Sequence, residues 1–374
     1  MASQTERAHQ GLIGGVIQGA QARAKSVKEG YQRCFHTLWG RENEITWETM
    51  PNQDLIGSVV PGSGRKDWIP IRPFDLLPEI GAGGGFESAR VYEGEAVRIN
   101  ASHIVGPQPH FERAGDFDTI FFQFAGYGLV ETSFGRIEME PGEALLIPAM
   151  VAHRTVGSVH CRRMEYRVRD LVDVRLDPSK TQSTNHFRAY PEGQRVADET
   201  VPALQPPATG RIREHLTRWD DAPGDDYLFE RTCEALVGQA DSGRAPIKIR
   251  PFDHLQTNAA TSGSVPAVRT AQLWDSQTFR QQVFNNPGRQ PAPHVGYDED
   301  ELWFQLIGPI DMETEHAAYT MQSGASSMAE AGIAHTGVSN LNLYRLTTYS
   351  PRPMRLVVTP EQQLRETRWV VEKL

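Results

Sequence analysis

An internal duplication is the feature of this sequence that most restricts its fold, because a repeat predicts two copies of one structural unit. The segment IPIRPFDLL, residues 69–77, recurs as IKIRPFDHL, residues 247–255. Further matches share one offset of 182 residues (301 minus 119): TIFFQFAG at 119–126 with ELWFQLIG at 301–308, Gly142 with Gly324, and Ala152-His153 with Ala334-His335. The sequence therefore predicts two homologous halves, spanning roughly 66–170 and 244–350.

Each half is predicted to be dominated by β-strands. Short apolar or alternating runs such as GLVETSF and LNLYRLTTYS are separated by turn residues, and the chain has 33 glycines and 25 prolines. Strands at this spacing favour antiparallel sandwiches or barrels over βαβ units. The predicted organisation is an arm and lead-in at 1–65, a first domain at 66–175, a Pro-rich linker at 176–243 and a second domain at 244–374. We expect a surface helix in the first 35 or so residues and a short linker helix at 210–219.

The charge of the chain favours a small molecule as its partner. A formal charge of −9 without a basic run argues against nucleic acid or an anionic membrane. No 18-residue apolar run or signal-peptide pattern is present, and the three cysteines show no CxxC spacing, so neither a disulfide framework nor a structural zinc site is predicted. No GxGxxG, P-loop or GxSxG motif occurs. We expect a cytoplasmic protein and, from the exposed arm and the habit of such folds, a homo-oligomer.

Two motifs of the repeat resemble those of the cupin superfamily, in which a small antiparallel β-barrel of the double-stranded β-helix or jelly-roll type surrounds one metal site. The first half contains PGEALLIPAMVAH at 141–153, and the second half keeps its glycine and histidine in SGASSMAEAGIAH at 323–335. The second half also has His294 and then Glu301, with a glycine seven residues further on, although Gly296 stands where a second histidine often lies. The resemblance implies two tandem cupin barrels and covers little more than half of the chain.

A two-barrel chain of this length is similar to the homogentisate, gentisate and related hydroquinone-type ring-cleaving dioxygenases. That resemblance implies a metal centre in the second barrel, with His294, Glu301 and His335 holding Fe(II). Two imidazoles and one carboxylate leave about three coordination positions open, as in the facial triad of non-haem iron oxygenases. Substrate and O2 would then bind side by side. Mn(II), Ni(II) or Zn(II) would accept the same ligands.

The strand after His294 has a phase that suits such a site. Side chains alternate along a strand, so Glu301, Trp303 and Gln305 share one face. We expect this face to line the barrel, and the opposite apolar face to be buried against the partner domain, the linker or an oligomer. The preceding PAPH segment, 291–294, is expected to be extended because proline restricts the residue before it. The acidic residues ahead of Glu301 are expected to form a solvated approach: Asp298, Glu299 and Asp300.

The first half is a weaker candidate for a metal. It retains His110 and His153 but has Thr119 at the position of Glu301. The carboxylates nearby are Asp116, Asp118 and Glu112. A structural or site-closing role is expected for this half, with a second metal at His110, Asp118 and His153 as the alternative.

Five other residues of the second half are candidates for handling the substrate. Tyr297 and His316 are candidate catalytic groups that move protons. Trp303 and Gln305 are expected to line the pocket, and Arg289 to pair with a substrate carboxylate. Three of them have a structural alternative, since Tyr297 lies in a loop, His316 could lie at the surface, and Arg289 is one of 38 basic residues.

The leading hypothesis from the sequence is an Fe(II)-dependent dioxygenase that opens a dihydroxylated aromatic ring, with a small aromatic substrate and O2 as its partners. One alternative is a metal-dependent isomerase or decarboxylase acting on a small sugar or keto acid. Another is a bicupin that binds a ligand without catalysis. Consumption of O2 distinguishes the first hypothesis from the other two.

Overall fold

The structure is a computed structural model that describes residues 31–36, 45–50, 70–81, 83–132, 134–176, 211–217, 226–232, 244–257, 268–286, 294–296, 299–314, 318–333, 335–339 and 343–357. Within these ranges the only helices are two 3₁₀ helices, Pro73–Leu76 and Pro251–His254, which both begin with proline. None of them approaches the length or hydropathy needed to cross a membrane. The all-β class expected from the sequence is confirmed.

The strands follow one another through the chain in two series. Before the linker they are β1 Tyr31–His36, β2 Ile45–Met50, β3 Gly85–Gly94, β4 Val97–Pro107, β5 Phe111–Ala114, β6 Asp118–Ala125, β7 Gly128–Thr132, β8 Gly135–Met139, β9 Ala144–Ile147, β10 His153–Val168 and β11 Asp173–Val174. The later strands are β12 Arg211–Thr217, β13 Asp226–Thr232, β14 Ile247–Ile249, β15 Gln256–Thr257, β16 Arg269–Asp275, β17 Arg280–Asn286, β18 His294–Gly296, β19 Asp300–Ile307, β20 Ile310–Thr314, β21 Ala318–Met321, β22 Ser326–Ala329, β23 His335–Val338, β24 Leu343–Ser350 and β25 Met354–Leu356.

These strands form three sheets. The largest has 12 strands and combines β3 to β10 with the linker strands β12 and β13, together with β14 and β25. The second half is divided between a seven-stranded sheet that contains β19 and β24 and a six-stranded sheet that contains β18 and β23. β1 lies parallel to β18, so the N-terminal lead-in extends the sheet that carries His294.

A large apolar core joins the two halves. It contains Ile120 and Phe122 of β6, Met164 of β10, and Leu302 and Phe304 of β19. Each of these buried side chains contributes about 1.5–3 kcal/mol through removal of apolar surface from water. The apolar face of β19 is therefore buried against the first half, which leaves its other face to line the interior of the second half.

The two halves exchange their lead-in segments. Ile71 of the first half forms two backbone hydrogen bonds with Ser326 of β22 in the second half, at 2.8 and 2.7 Å. Reciprocally, Ile249 in β14 of the second half pairs with Ala144 in β9 of the first half. Ala144 and Ser326 occupy equivalent positions of the repeat, so the exchange is symmetric. A charged contact reinforces one side of it, because Arg250 Nε donates to a Glu143 carboxylate oxygen at 2.7 Å.

The linker helix predicted at 210–219 is wrong. Residues Arg211–Thr217 form β12, which pairs antiparallel with β13 and parallel with β5 of the first half. Ile212 and Leu216 have helical spacing, but backbone pairing on both edges of the segment overrides that local period. The N-terminal surface helix lies outside the described residues as far as position 30, and residues 31–36 form β1 where the last part of the helix was expected. The domain boundaries remain predictions.

Candidate metal centre

Two neighbouring strands of the second half present polar side chains to its interior. In the antiparallel ladder between β19 and β24, Glu301 lies opposite Tyr349 and Trp303 lies opposite Thr347. Residues opposite each other in such a ladder project from the same side of the sheet. Trp303 also belongs to an apolar cluster with Met312 of β20, separate from the large core. The face of β19 that carries Glu301 and Trp303 thus lines the interior, as the alternation of side chains along the strand predicts.

Glu301 and His335 form a buried, oriented pair on this face. Their side chains are only 7% and 2% exposed, and His335 Nε2 lies 3.2 Å from Glu301 Oε2. His335 Nδ1 lies 3.0 Å from the carbonyl oxygen of Ile333, to which it donates, so Nε2 is the nitrogen on the side of the carboxylate. The other oxygen, Oε1, accepts the indole N–H of Trp303 at 2.6 Å. Both side chains are therefore held by contacts that leave one atom of each turned toward the other.

This separation suits two ligands of one metal ion. Ligand atoms at about 2.1 Å from a metal and at right angles to each other lie about 3 Å apart. Metal-bound histidines commonly donate their other ring N–H to a backbone carbonyl, and metal-bound carboxylates are commonly hydrogen-bonded in turn. Both features are present here, the first through Ile333 and the second through Trp303. The described residues of the pair fit a metal ion.

The third predicted ligand, His294, lies in β18 and pairs in the backbone ladder with His335. This pairing brings His294 to the strand beside the Glu301–His335 pair. Its side chain is outside the described part of the chain, and among the side chains that are described no group of three or more His, Cys, Asp or Glu residues could hold a metal. The complete triad therefore remains a prediction. The side chains of two of its members, Glu301 and His335, are described and lie close together.

The other predicted site residues differ in what the structure shows of them. Tyr297, His316 and Arg289 lie outside the described residues and stay predictions. Trp303 is fully buried, and its indole N–H orients Glu301. Gln305 donates its amide to the carbonyls of Ile307 and Gly308, both at 2.7 Å, so that amide stabilises a turn.

The same turn explains why the glutamine is repeated. In the first half Gln123 donates to the carbonyls of Ala125 and Gly126, at 2.7 and 3.1 Å. Gly126 and Gly308 both have a left-handed backbone, with φ of 62° and 71°, which glycine adopts without strain. The amide nitrogen of Gln305 therefore stabilises this turn, and a contact between Gln305 and the substrate stays a prediction.

The expectation that Glu299 and Asp300 are solvated is wrong, because both are buried. Glu299 pairs with Arg280 at 3.2 Å, and this guanidinium also lies over the ring of Tyr349. Asp300 accepts the backbone N–H of Ala331 at 2.9 Å and of Met354 at 2.7 Å. Their partners lie far away in sequence, which is why a local acidic run looked like a surface loop. Asp298 is not among the described residues.

The first half does not assemble the alternative metal set of His110, Asp118 and His153. Asp118 projects from the face of β6 opposite to Thr119 and accepts hydrogen bonds from Ala149 N–H at 2.8 Å, Val172 N–H at 2.9 Å and Arg244 at 2.8 Å. In the ladder the residue paired with His153 is Glu112 rather than His110. Asp118 and Asp300 occupy equivalent positions and clamp equivalent segments, so their role is structural.

Sequence reasoning missed the interior residues of β24. Arg345, Thr347 and Tyr349 alternate along this strand opposite Gln305, Trp303 and Glu301. Burial lowers the pKa of Arg345, an effect that the negative charge of Glu301 opposes. Burial and the same carboxylate raise the pKa of Tyr349 well above 10, so its phenol stays protonated at neutral pH. The signal available was the repeat, since Arg163 and Arg345 are also 182 residues apart.

Comparisons with known proteins found similarity only among solved structures. No family model and no curated protein matches the chain. A cupin 2 conserved barrel domain protein from Leptotrichia buccalis matches with 12% identity and a TM-score of 0.44, over 78% of this chain and 99% of its own. Lactobacillus farciminis oxalate decarboxylase, solved as a formate complex, matches with 13% identity and a TM-score of 0.45, over 83% and 97%. Bacillus subtilis oxalate decarboxylase, solved at pH 4.6, matches with 12% and 0.43, over 88% and 91%.

These structural neighbours are cupin proteins.

Proposed function

We propose that the second half holds one divalent metal ion through His294, Glu301 and His335, and that the protein uses this ion as a Lewis acid to decarboxylate a small organic acid. The observation that carries the proposal is the 3.2 Å approach of His335 Nε2 to Glu301 Oε2. Since Nδ1 donates to Ile333, Nε2 of a neutral ring bears a lone pair and lies 3.2 Å from a carboxylate oxygen. Two such electron-rich atoms are stable together only with a cation, either a proton on the ring or a metal ion.

The surrounding side chains support metal-assisted decarboxylation. A bound divalent ion would polarise a substrate oxygen and stabilise the negative charge that develops as CO2 leaves. Trp303 fixes the orientation of Glu301 through its indole N–H. Tyr349, opposite Glu301 in the ladder, keeps its proton at neutral pH and is the proton donor that we assign to the carbanion left by decarboxylation.

Ring cleavage by a dioxygenase is the second candidate. It is favoured by the proposed ligand set itself, because two histidines and one carboxylate form the facial triad of non-haem iron oxygenases. Oxygen uptake separates the two reactions. A protein loaded with Fe(II) that consumes O2 with homogentisate, gentisate, hydroquinone or catechol supports ring cleavage. Release of CO2 from oxalate or a 2-oxo acid without net O2 consumption supports decarboxylation.

Metal content tests the location of the site. We expect His294→Ala, Glu301→Gln and His335→Ala to lose the bound ion measured by elemental analysis. His153→Ala, at the equivalent position of the first half, is the matched control and should retain it. Loss of metal from the His153 variant together with full occupancy in the other three would show that the first half holds the metal. Metal bound by the second half without turnover of any of these acids or aromatic compounds would indicate a ligand-binding protein.

A further inference from the structure

The interior of the second half contains a buried arginine that forms no salt bridge in the described part of the chain, although the negative charge of Glu301 acts on it. Arg345 is 2% exposed, and its Nε has no hydrogen-bond partner there. Its one hydrogen bond within that part runs from Nη1 to the thioether sulfur of Met312, at 3.8 Å. The guanidinium otherwise contacts the rings of Phe284 and Trp303, at 5.1 and 5.5 Å from the ring centres. A buried guanidinium is costly unless an anion accepts its hydrogen bonds.

A second buried donor lies beside it. Thr347 is two residues further along β24, so its side chain projects from the same face about 7 Å away. Its side chain is fully buried, and its hydroxyl has no hydrogen-bond partner among the described residues. Arg345 and Thr347 thus present two unused donors to one side of the interior, next to Trp303 and the Glu301–His335 pair.

The equivalent arginine of the first half has different surroundings, although its Nε also lacks a hydrogen-bond partner among the described residues. Arg163, the equivalent of Arg345, donates to the hydroxyl of Thr155 at 2.6 Å. Glu165 projects from the same face of β10, and its negative charge acts on Arg163 while it pairs with Arg167 at 2.9 Å. At the positions equivalent to Glu165 and Arg167 the second half has Thr347 and Tyr349. The second half therefore keeps the buried arginine, but the carboxylate that acts on it is Glu301, the residue that we propose as a metal ligand.

The charges at the proposed centre favour the same conclusion. A divalent ion held by Glu301 and neutral histidines leaves one positive charge in excess, and Arg345 adds another. Two uncompensated positive charges in a buried space are strongly unfavourable, so the bound state requires an anion.

We propose that Arg345 and Thr347 bind the carboxylate of the substrate, and that the substrate is a small organic acid with a second oxygen placed to reach the metal, such as a 2-oxo acid or a dicarboxylate. This inference rests on the proposed metal centre and specifies the substrate class of that same site. Arg345 would donate two parallel hydrogen bonds to the carboxylate oxygens, and the Thr347 hydroxyl would donate a third. An uncharged sugar would leave both donors without partners.

Binding of pyruvate and of its uncharged methyl ester to the full-length, Zn(II)-loaded protein tests this proposal. We expect calorimetry to show pyruvate binding and much weaker binding of the ester. Arg345→Gln should weaken pyruvate binding about ten- to a hundred-fold without changing metal content, the effect of losing a hydrogen bond to a charged group. Arg345→Lys should recover part of the loss.

A pair of neighbouring threonines keeps the test decisive if the arginine variants do not fold. Thr347→Val should weaken pyruvate binding several-fold. Thr348→Val is the matched control, because Thr348 lies on the opposite face and accepts a hydrogen bond from Gln281. Equal affinities of all variants for pyruvate, or equal binding of pyruvate and ester by the wild type, would overturn the assignment. The two proposals fail in different ways. A wild-type protein that binds no metal, or that binds it without releasing CO2 from any acid, contradicts the proposed function, whereas unchanged pyruvate affinity in the Arg345 and Thr347 variants contradicts only the anchor.

Discussion

The hydrogen bond from Trp303 to Glu301 gives the most direct test of the metal centre. Trp303→Phe removes the indole N–H that holds Oε1 at 2.6 Å. A phenylalanine fits this position, because Phe121 occupies it in the first half and contacts His153 as Trp303 contacts His335. The substitution therefore removes one hydrogen bond from a proposed metal ligand while keeping an aromatic ring against the histidine.

The expected loss can be worked out from that one contact. A hydrogen bond to a charged group contributes about 1.5–3 kcal/mol, and every 1.4 kcal/mol is about a factor of ten in affinity. Removing such a support behind a metal ligand typically weakens metal binding about 10- to 100-fold. We expect a loss of that size for Zn(II) or Mn(II), measured by competition with a chromophoric chelator at neutral pH.

Trp274→Phe is the matched control for this measurement. Trp274 is also fully buried, belongs to the core between the halves, and has an indole N–H without a partner in the part of the chain that the structure describes. Both variants lose the same volume, so a general effect of destabilisation appears in both. Equal metal affinities for the two variants would refute the reasoning that Glu301 is a ligand held in place by Trp303.

Three further predictions concern stability. Asp300→Asn keeps the shape of the side chain but weakens its hydrogen bonds to two backbone N–H groups, so we expect a loss of about 2–3 kcal/mol in the free energy of unfolding by urea. Glu299→Gln leaves Arg280 with a neutral partner in a buried setting, and a loss of about 3–5 kcal/mol by the same measurement is expected; an unchanged midpoint would mean that the pair is hydrated. The raised pKa of Tyr349 means that the unfolded chain loses the phenolic proton first, so stability holds below pH 10 and falls as the pH rises beyond it, and Tyr349→Phe should flatten this fall.

The sequence was informative where the repeat could be used. The alternation of apolar residues predicted the strands of both halves and the inward direction of Glu301. The 182-residue offset of the repeat predicted that His335 would lie near Glu301. Contacts between distant segments were not. Asp300 is bonded to Met354, 54 residues away, and Glu299 to Arg280 on another strand, so their local acidic context was misleading. For the same reason an isolated segment with helical spacing gave no sign that β12 would pair with β5.

The repeat also holds information that residue type alone conceals. Asp118 and Asp300 are the same residue at equivalent positions, and both clamp backbone N–H groups. Thr119 and Glu301 differ at the next position, where the second half has its candidate metal ligand. Identity between the halves therefore marks what the fold requires, and a difference at an inward-facing position marks where their chemistry diverges. Arg163 and Arg345 combine the two cases, because the arginine is identical in both halves while the residues around it differ.

The symmetric exchange of lead-in segments has a consequence for how this chain can be divided. Ile71 bridges to the edge of a sheet of the second half, and Ile249 lies in the edge strand of a sheet of the first. A cut in the linker would give two fragments that each carry the segment that covers a sheet edge of the other and expose an unpaired edge of their own. The fragments should be poorly soluble alone and should reassemble when mixed, so that the two halves behave as one cooperative folding unit and neither is an independent module for transfer to another protein.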